Sequence, residues 1–144
     1  MADLFELDAR LAGDTHRLAR WPLCDVLLMD DARYPWLILV PRIAGARELI
    51  DLEEADRLQL WREIDAASLA MRDAFAPDKL NIGALGNVVS QLHIHVIVRY
   101  THDDAWPAPV WGAHPRQPRD ADARSAITAR ILSALPRFAF EESS

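Results

Sequence analysis

The 144 residues allow one domain around one core, and 51% apolar with 26% charged residues is the balance of a globular protein. A formal net charge of −6 argues against general binding along the phosphate backbone of DNA or RNA, yet leaves room for one nucleotide in a suitable pocket. No apolar run approaches the ~18–20 residues of a membrane span. The start, Met1 to Glu6, is acidic where a signal peptide would be basic, and the lone Cys24 excludes an internal disulfide, so a reducing cytoplasmic setting is favoured.

In chain order, Leu4 to Leu11 is predicted as a short helix stopped by Gly13. Leu23 to Met29 reads as a buried strand, within which Cys24 is an inert, packed thiol. Asp30 to Pro35 forms a polar turn, and Trp36 to Val40 is a second buried strand ended by Pro41, which together give an antiparallel hairpin. The clearest helix follows. Asp51 is its expected N-cap, Glu53 and Glu54 suit its first turn, and Leu60, Ile64, Ala67, Met71 and Phe75 recur as one core-facing stripe until Pro77. Lys79 to Leu85 reads as a strand, Gly86-Asn87 as a turn and Gln91 to Arg99 as the next strand. A segment with Pro107, Pro109, Pro115 and Pro118 comes next, then a terminal helix over Asp120 to Leu135. Hairpins with segregated helices predict an α+β fold with an antiparallel sheet, one long helix and a C-terminal helix. The chain is read as a single domain over 1–144, with a core at about 15–100 and a tail with its helix at 101–144.

The run Gln91-Leu92-His93-Ile94-His95-Val96-Ile97 carries the chemistry. Side chains alternate along a strand, so Gln91, His93 and His95 share one face and the apolar residues the other. Imidazole near neutral pH serves as nucleophile, proton carrier or metal ligand. Two exposed strand histidines without a role would give the same pattern. A zinc site needs three or four ligands. His16, His102 and His114 lack ligand spacing to one another, so no metal site is expected.

That run resembles the signature of the histidine triad (HIT) family, His-φ-His-φ-His-φ-φ with φ apolar, with Gln91 in place of the first histidine. The strand Leu37-Ile38-Leu39-Val40 closing in Pro41-Arg42, the long helix, the strand with Asn81 and the Gly86-Asn87 turn follow in the family's order, from Leu23 to Arg99. The resemblance implies an α+β fold, a homodimer, and a nucleotide hydrolase or nucleotidyl transferase acting at the α-phosphate of a dinucleoside polyphosphate or phosphoramidate. The alternative is a nucleotide-binding module with little turnover. His93 matches the nucleophile that forms a nucleotidyl-histidine, and His95 the last triad histidine, beside the α-phosphate. Gln91, Asn81 and Asn87 would surround the phosphate, Gly86 would let backbone approach the ligand, and Asp30, with Asp31 as its neighbour, would reach the ribose. No cofactor is required, and magnesium would arrive only with the substrate. Trp36 stands where the family often has a histidine, which leaves the source of the leaving-group proton open. Trp106 and Trp111 fit stacking on a base, a dimer interface or packing on the sheet.

Overall fold

The computed structural model describes residues 4–138. Its order is α1 (Ala9–Asp14), β1 (Thr15–Arg20), β2 (Cys24–Met29), β3 (Trp36–Pro41), a 3-10 turn (Leu49–Asp51), α2 (Glu54–Phe75), β4 (Lys79–Gly83), β5 (Ile94–Arg99) and α3 (Ala121–Ala134). The five strands form one antiparallel sheet in the order β1-β2-β3-β5-β4. The fold is α+β, as the sequence predicts. Among the described residues no helix is long and apolar enough to cross a membrane.

Period-two alternation divides the sheet into two faces. Val26, Leu28, Leu37, Leu39, Ile94, Val96 and Val98 face the larger core, which also takes Leu60, Ile64, Ala67, Met71 and Phe75 of the α2 stripe and Ile131 of α3. Leu27, Trp36, Ile38, Val40 and Ile97 face a smaller cluster capped by Leu11 and Val110. Both faces are covered, which is why β2, β3 and β5 read as continuous apolar runs. One buried carboxylate joins the layers. Glu63 of α2 is fully buried and accepts the N–H groups of Leu23 and Cys24 at 2.9 and 2.8 Å, where β2 begins, along with the Gln59 amide.

Several boundaries differ from the sequence reading. The first helix begins at Ala9 and runs through Gly13, because Asp8 caps the N–H of Arg10. The strand β1 was not expected. The helix α2 starts at Glu54, because Asp51 belongs to the preceding turn and accepts the N–H groups of Arg47 and Glu48. Gly86-Asn87 is not a two-residue hairpin turn: β4 ends at Gly83 and β5 begins at Ile94, so residues 84–93 form a longer connection. Gly86 lies within it at φ +79°, in the region that favours glycine. Cys24 is fully buried, and α3 is capped by Asp120, whose carboxylate accepts the N–H of Ala123.

Candidate active site

The two histidines meet where the long connection enters β5. His95 lies on β5 opposite Ile38, on the face away from α2. His93 sits just before the strand. Both are buried, at 6% and 5% exposure, and their rings are 4.9 Å apart edge to face. They line a cavity of about 300 Å³ on the sheet face opposite α2. Its floor is Met29, Trp36 and Ile38; its walls come from Leu85 to Val89, from Arg10 and Leu11 of α1, and from Val110 to Gly112 with His114 and Arg116. A second hollow of about 300 Å³ shares Leu85, Gly86 and His93, and is bounded by Arg47, Leu49 and Ile50.

Each imidazole is held by one ring nitrogen. Nδ1 of His93 lies 2.7 Å from the carbonyl oxygen of Gln91. A carbonyl only accepts, so Nδ1 carries a hydrogen, and in the neutral ring Nε2 then keeps the lone pair. On His95, Nδ1 accepts the indole N–H of Trp36 at 3.0 Å. Burial first, and His93 second, push the His95 pKa down to about 3, so this ring is neutral around pH 7. The indole of Trp111 stands edge-on to His95 at 5.3 Å and lies against Gly83, where a Cβ would come 3.4 Å from the ring.

The remaining residues expected at the site separate into two groups. Asn87 and Gly86 line the cavity, as does Asp31, which is buried and paired with Arg33 at 3.1 Å. Asn81 and Asp30 are engaged elsewhere, and Gln91 borders the second hollow beside His93 while its amide is engaged with the N-terminal segment. Gln91 does not continue a strand face with the histidines. Its Oε1 accepts the N–H of Asp8 at 2.8 Å and its Nε2 donates to the carbonyl of Glu6 at 2.9 Å, so its amide pairs with the N-terminal segment as a peptide group would. The Asn81 side-chain oxygen accepts from the buried Arg99 at 2.7 Å and is absent from the cavity wall. Asp30 is also absent from that wall. It accepts the N–H of Arg119 and lies within 3.5 Å of both His16 and Arg116. Burial raises its pKa, but the Arg119 N–H and His16 outweigh this and leave it below the ordinary value.

Arg10, Leu11 and Arg116 carry no signal in the sequence that points to the cavity, whereas His114 flanks the 106–112 run as one of two histidines that could supply a proton. Arg10 and Leu11 come from a helix with no visible link to the histidines. His114 and Arg116 come from the proline-rich segment, where His114 is bonded to the Tyr34 hydroxyl at 2.9 Å. Trp36 was read as the first apolar residue of a strand; the only hint of more was its place where the resemblance puts a polar ring. Among the described residues no group of three or more His, Cys, Asp or Glu is arranged to hold a metal ion.

The comparisons agree with this fold. The HIT-domain pattern matches residues 11–102, which takes in the sheet, α2 and both histidines. A histidine triad protein from Marinobacter aquaeolei VT8 is 47% identical, with a TM-score of 0.90 over 92% of this chain and 97% of that one. A histidine triad protein from Bradyrhizobium japonicum is 43% identical, again at 0.90, over 93% of this chain and all of that one. A hypothetical histidine triad nucleotide-binding protein from Sulfolobus tokodaii, 16% identical at a TM-score of 0.66 over 83% of each chain, shares the fold. No curated protein matches. With the family pattern spanning well over half the chain and two relatives above 40% identity along nearly its whole length, the chain belongs to the histidine triad (HIT) family.

Proposed function

We propose that this chain is a nucleotide hydrolase or nucleotidyl transferase in which His93 attacks the α-phosphorus of a nucleotide conjugate. The observation that carries this reading is the 2.7 Å contact between His93 Nδ1 and the Gln91 carbonyl, which leaves Nε2 as a free lone pair. The contact uses the backbone, so glutamine in place of the first triad histidine does not remove it. In the first step Nε2 forms a bond to phosphorus, and the bond to the leaving group breaks with its electron pair. The nucleotidyl-imidazolium so formed keeps its Nδ1 hydrogen on the carbonyl. In the second step a water oxygen, or another acceptor, bonds to phosphorus, the P–N pair returns to Nε2, and the acceptor's proton goes to solvent. His95 donates from Nε2 to a phosphoryl oxygen as negative charge builds there. Asn87 and Gly86 stand at the same wall.

Two hollows that share His93 suit a two-part substrate, with the nucleotide in one and the departing group in the other. Arg10 and Arg116 bring cationic groups to the cavity in front of the histidines, beside the carboxylates of Asp14 and Asp31. The structural relative described as a nucleotide-binding protein fits the same ligand class. The small-molecule reading needs no cofactor, and magnesium would enter as part of the substrate complex. It suits a protein of the cytoplasm, where nucleotides are abundant and a free Cys24 stays reduced. We also propose a homodimer formed through the outer edge of β4, where Ile82 is 46% exposed and Leu69 of α2 lies beside Leu80.

Diadenosine tetraphosphate and an adenosine phosphoramidate, incubated with the wild type and with His93→Ala, test the reaction. Turnover by the wild type that is lost in the variant, with a phosphorus–nitrogen adduct trapped at His93, is the expected result. Tight nucleotide binding without turnover would make the chain a binding module instead.

A further inference from the structure

The triad pattern says nothing of what holds its last histidine, and here that partner is an indole. Trp36 opens β3, is 6% exposed, and donates its Nε1–H to Nδ1 of His95. An indole nitrogen can only donate. The acceptor must therefore be an unprotonated Nδ1, and a neutral imidazole then carries its one hydrogen on Nε2. A proton on Nδ1 would set two N–H groups against each other in a buried place. Among the described residues Nε2 of His95 has no hydrogen-bond partner, and it is not one of the buried polar atoms sealed from solvent without one, so it opens onto the cavity that His95 lines.

His93 is fixed in the opposite sense. Its Nδ1 faces an acceptor-only carbonyl, so its hydrogen is on Nδ1 and its lone pair on Nε2. We propose that Trp36 is a positioning residue which holds His95 in the neutral Nε2–H form, so that one carbonyl and one indole divide two identical side chains into a lone-pair nucleophile and a hydrogen-bond donor. The catalytic consequence rests on the reaction proposed above; the tautomer does not. In this arrangement His95 gives no proton to the leaving group. It contributes a fixed dipole aimed where phosphoryl charge develops.

Histidine-ring nitrogen–proton correlation spectra of the wild-type protein without substrate, from about pH 5 to 8, are the first test. They should show His93 hydrogenated at Nδ1 and His95 at Nε2, with the His95 pattern constant throughout. Trp36→Phe fills nearly the same space without the donor. It should give mixed tautomers at His95 and lower kcat about tenfold, equivalent to about 1.4 kcal/mol, with KM nearly unchanged. Trp36→His, whose ring can either donate or accept, should leave His95 in a mixture of tautomers as well. A wild-type His95 hydrogenated at Nδ1, or a Trp36→Phe protein with unchanged tautomer and unchanged kcat, would overturn the proposal. If Trp36→Phe does not fold, the wild-type spectra decide. If no nucleotide conjugate is turned over, the reaction falls, while the same spectra still settle the tautomer.

Discussion

His95 carries a cost that acid should reveal. In the unfolded chain its imidazole takes up a proton at the ordinary value of 6.5, and in the folded protein only at about 3. Between those values the unfolded state holds more protons, so stability rises with pH across the window and falls on acidification. Asp103 acts lower down. Burial raises its carboxyl, but Arg99 and the N–H groups of Tyr100 and Trp106 outweigh that and bring it to about 2 from 3.8, so its stabilisation is present above 3.8 and is lost on the way to 2. Urea midpoints should therefore decline from about pH 6.5 to 4 through His95. His95→Asn should flatten that limb; a slope unchanged by the substitution would assign it to another group. Cys24 shows the opposite displacement: burial, then Glu63, push its thiol far up, so it has no nucleophilic role near pH 7.

At the scale of elements, Gln91 explains why the N-terminal segment lies where it does. Two hydrogen bonds from one amide fix Glu6 and Asp8, Asp8 caps α1, and α1 brings Arg10 and Leu11 to the cavity. Gln91→Ala should speed hydrogen exchange at the Asp8 amide by about tenfold or more while leaving the His93–carbonyl contact intact, because that contact is made by backbone. Unaltered exchange at Asp8 would show that the segment is held by its apolar contacts. The sequence could not show this partnership, since its members are 83 positions apart. The same distance problem hid the Trp36–His95 bond, across 59 positions. Elements with a strong pattern were legible: the α2 stripe, and the apolar runs of β2, β3 and β5. The edge strand β1 was not, because Thr-His-Arg-Leu-Ala-Arg has one neighbouring strand, is only partly buried, and shows no apolar alternation. The motif itself was readable because both histidines lie within three residues. Its expected continuation to Gln91 failed because regular pairing starts only at Ile94.

At the scale of the whole molecule, the cavity is bordered by two segments far apart in sequence, α1 and residues 110–116. The segment around Trp111 is fastened by Arg119, whose guanidinium donates to the carbonyls of Met29 and Tyr34 at 2.8 Å, and by the buried Arg99, which holds Asp103 and the Ala108 carbonyl. Among the described residues the opposite edge strand, β4, pairs only with β5. Analytical ultracentrifugation at micromolar concentration should give twice the 16.2 kDa chain mass, and Ile82→Lys should return it to one. A wild-type protein that sediments as a monomer, or a dimer indifferent to Ile82→Lys, would rule out this edge as the contact.

Gly83 underlies one wall of the cavity. Because that position on β4 has no side chain, the Trp111 indole rests directly on the sheet, with its Cη2 only 3.4 Å from where a methyl carbon would begin. The position of the indole beside His95 is thus backed by bare strand. A methyl group there would just touch the ring, so an alanine fits at ordinary contact distance, and only a longer side chain would have to displace the indole that stands beside His95.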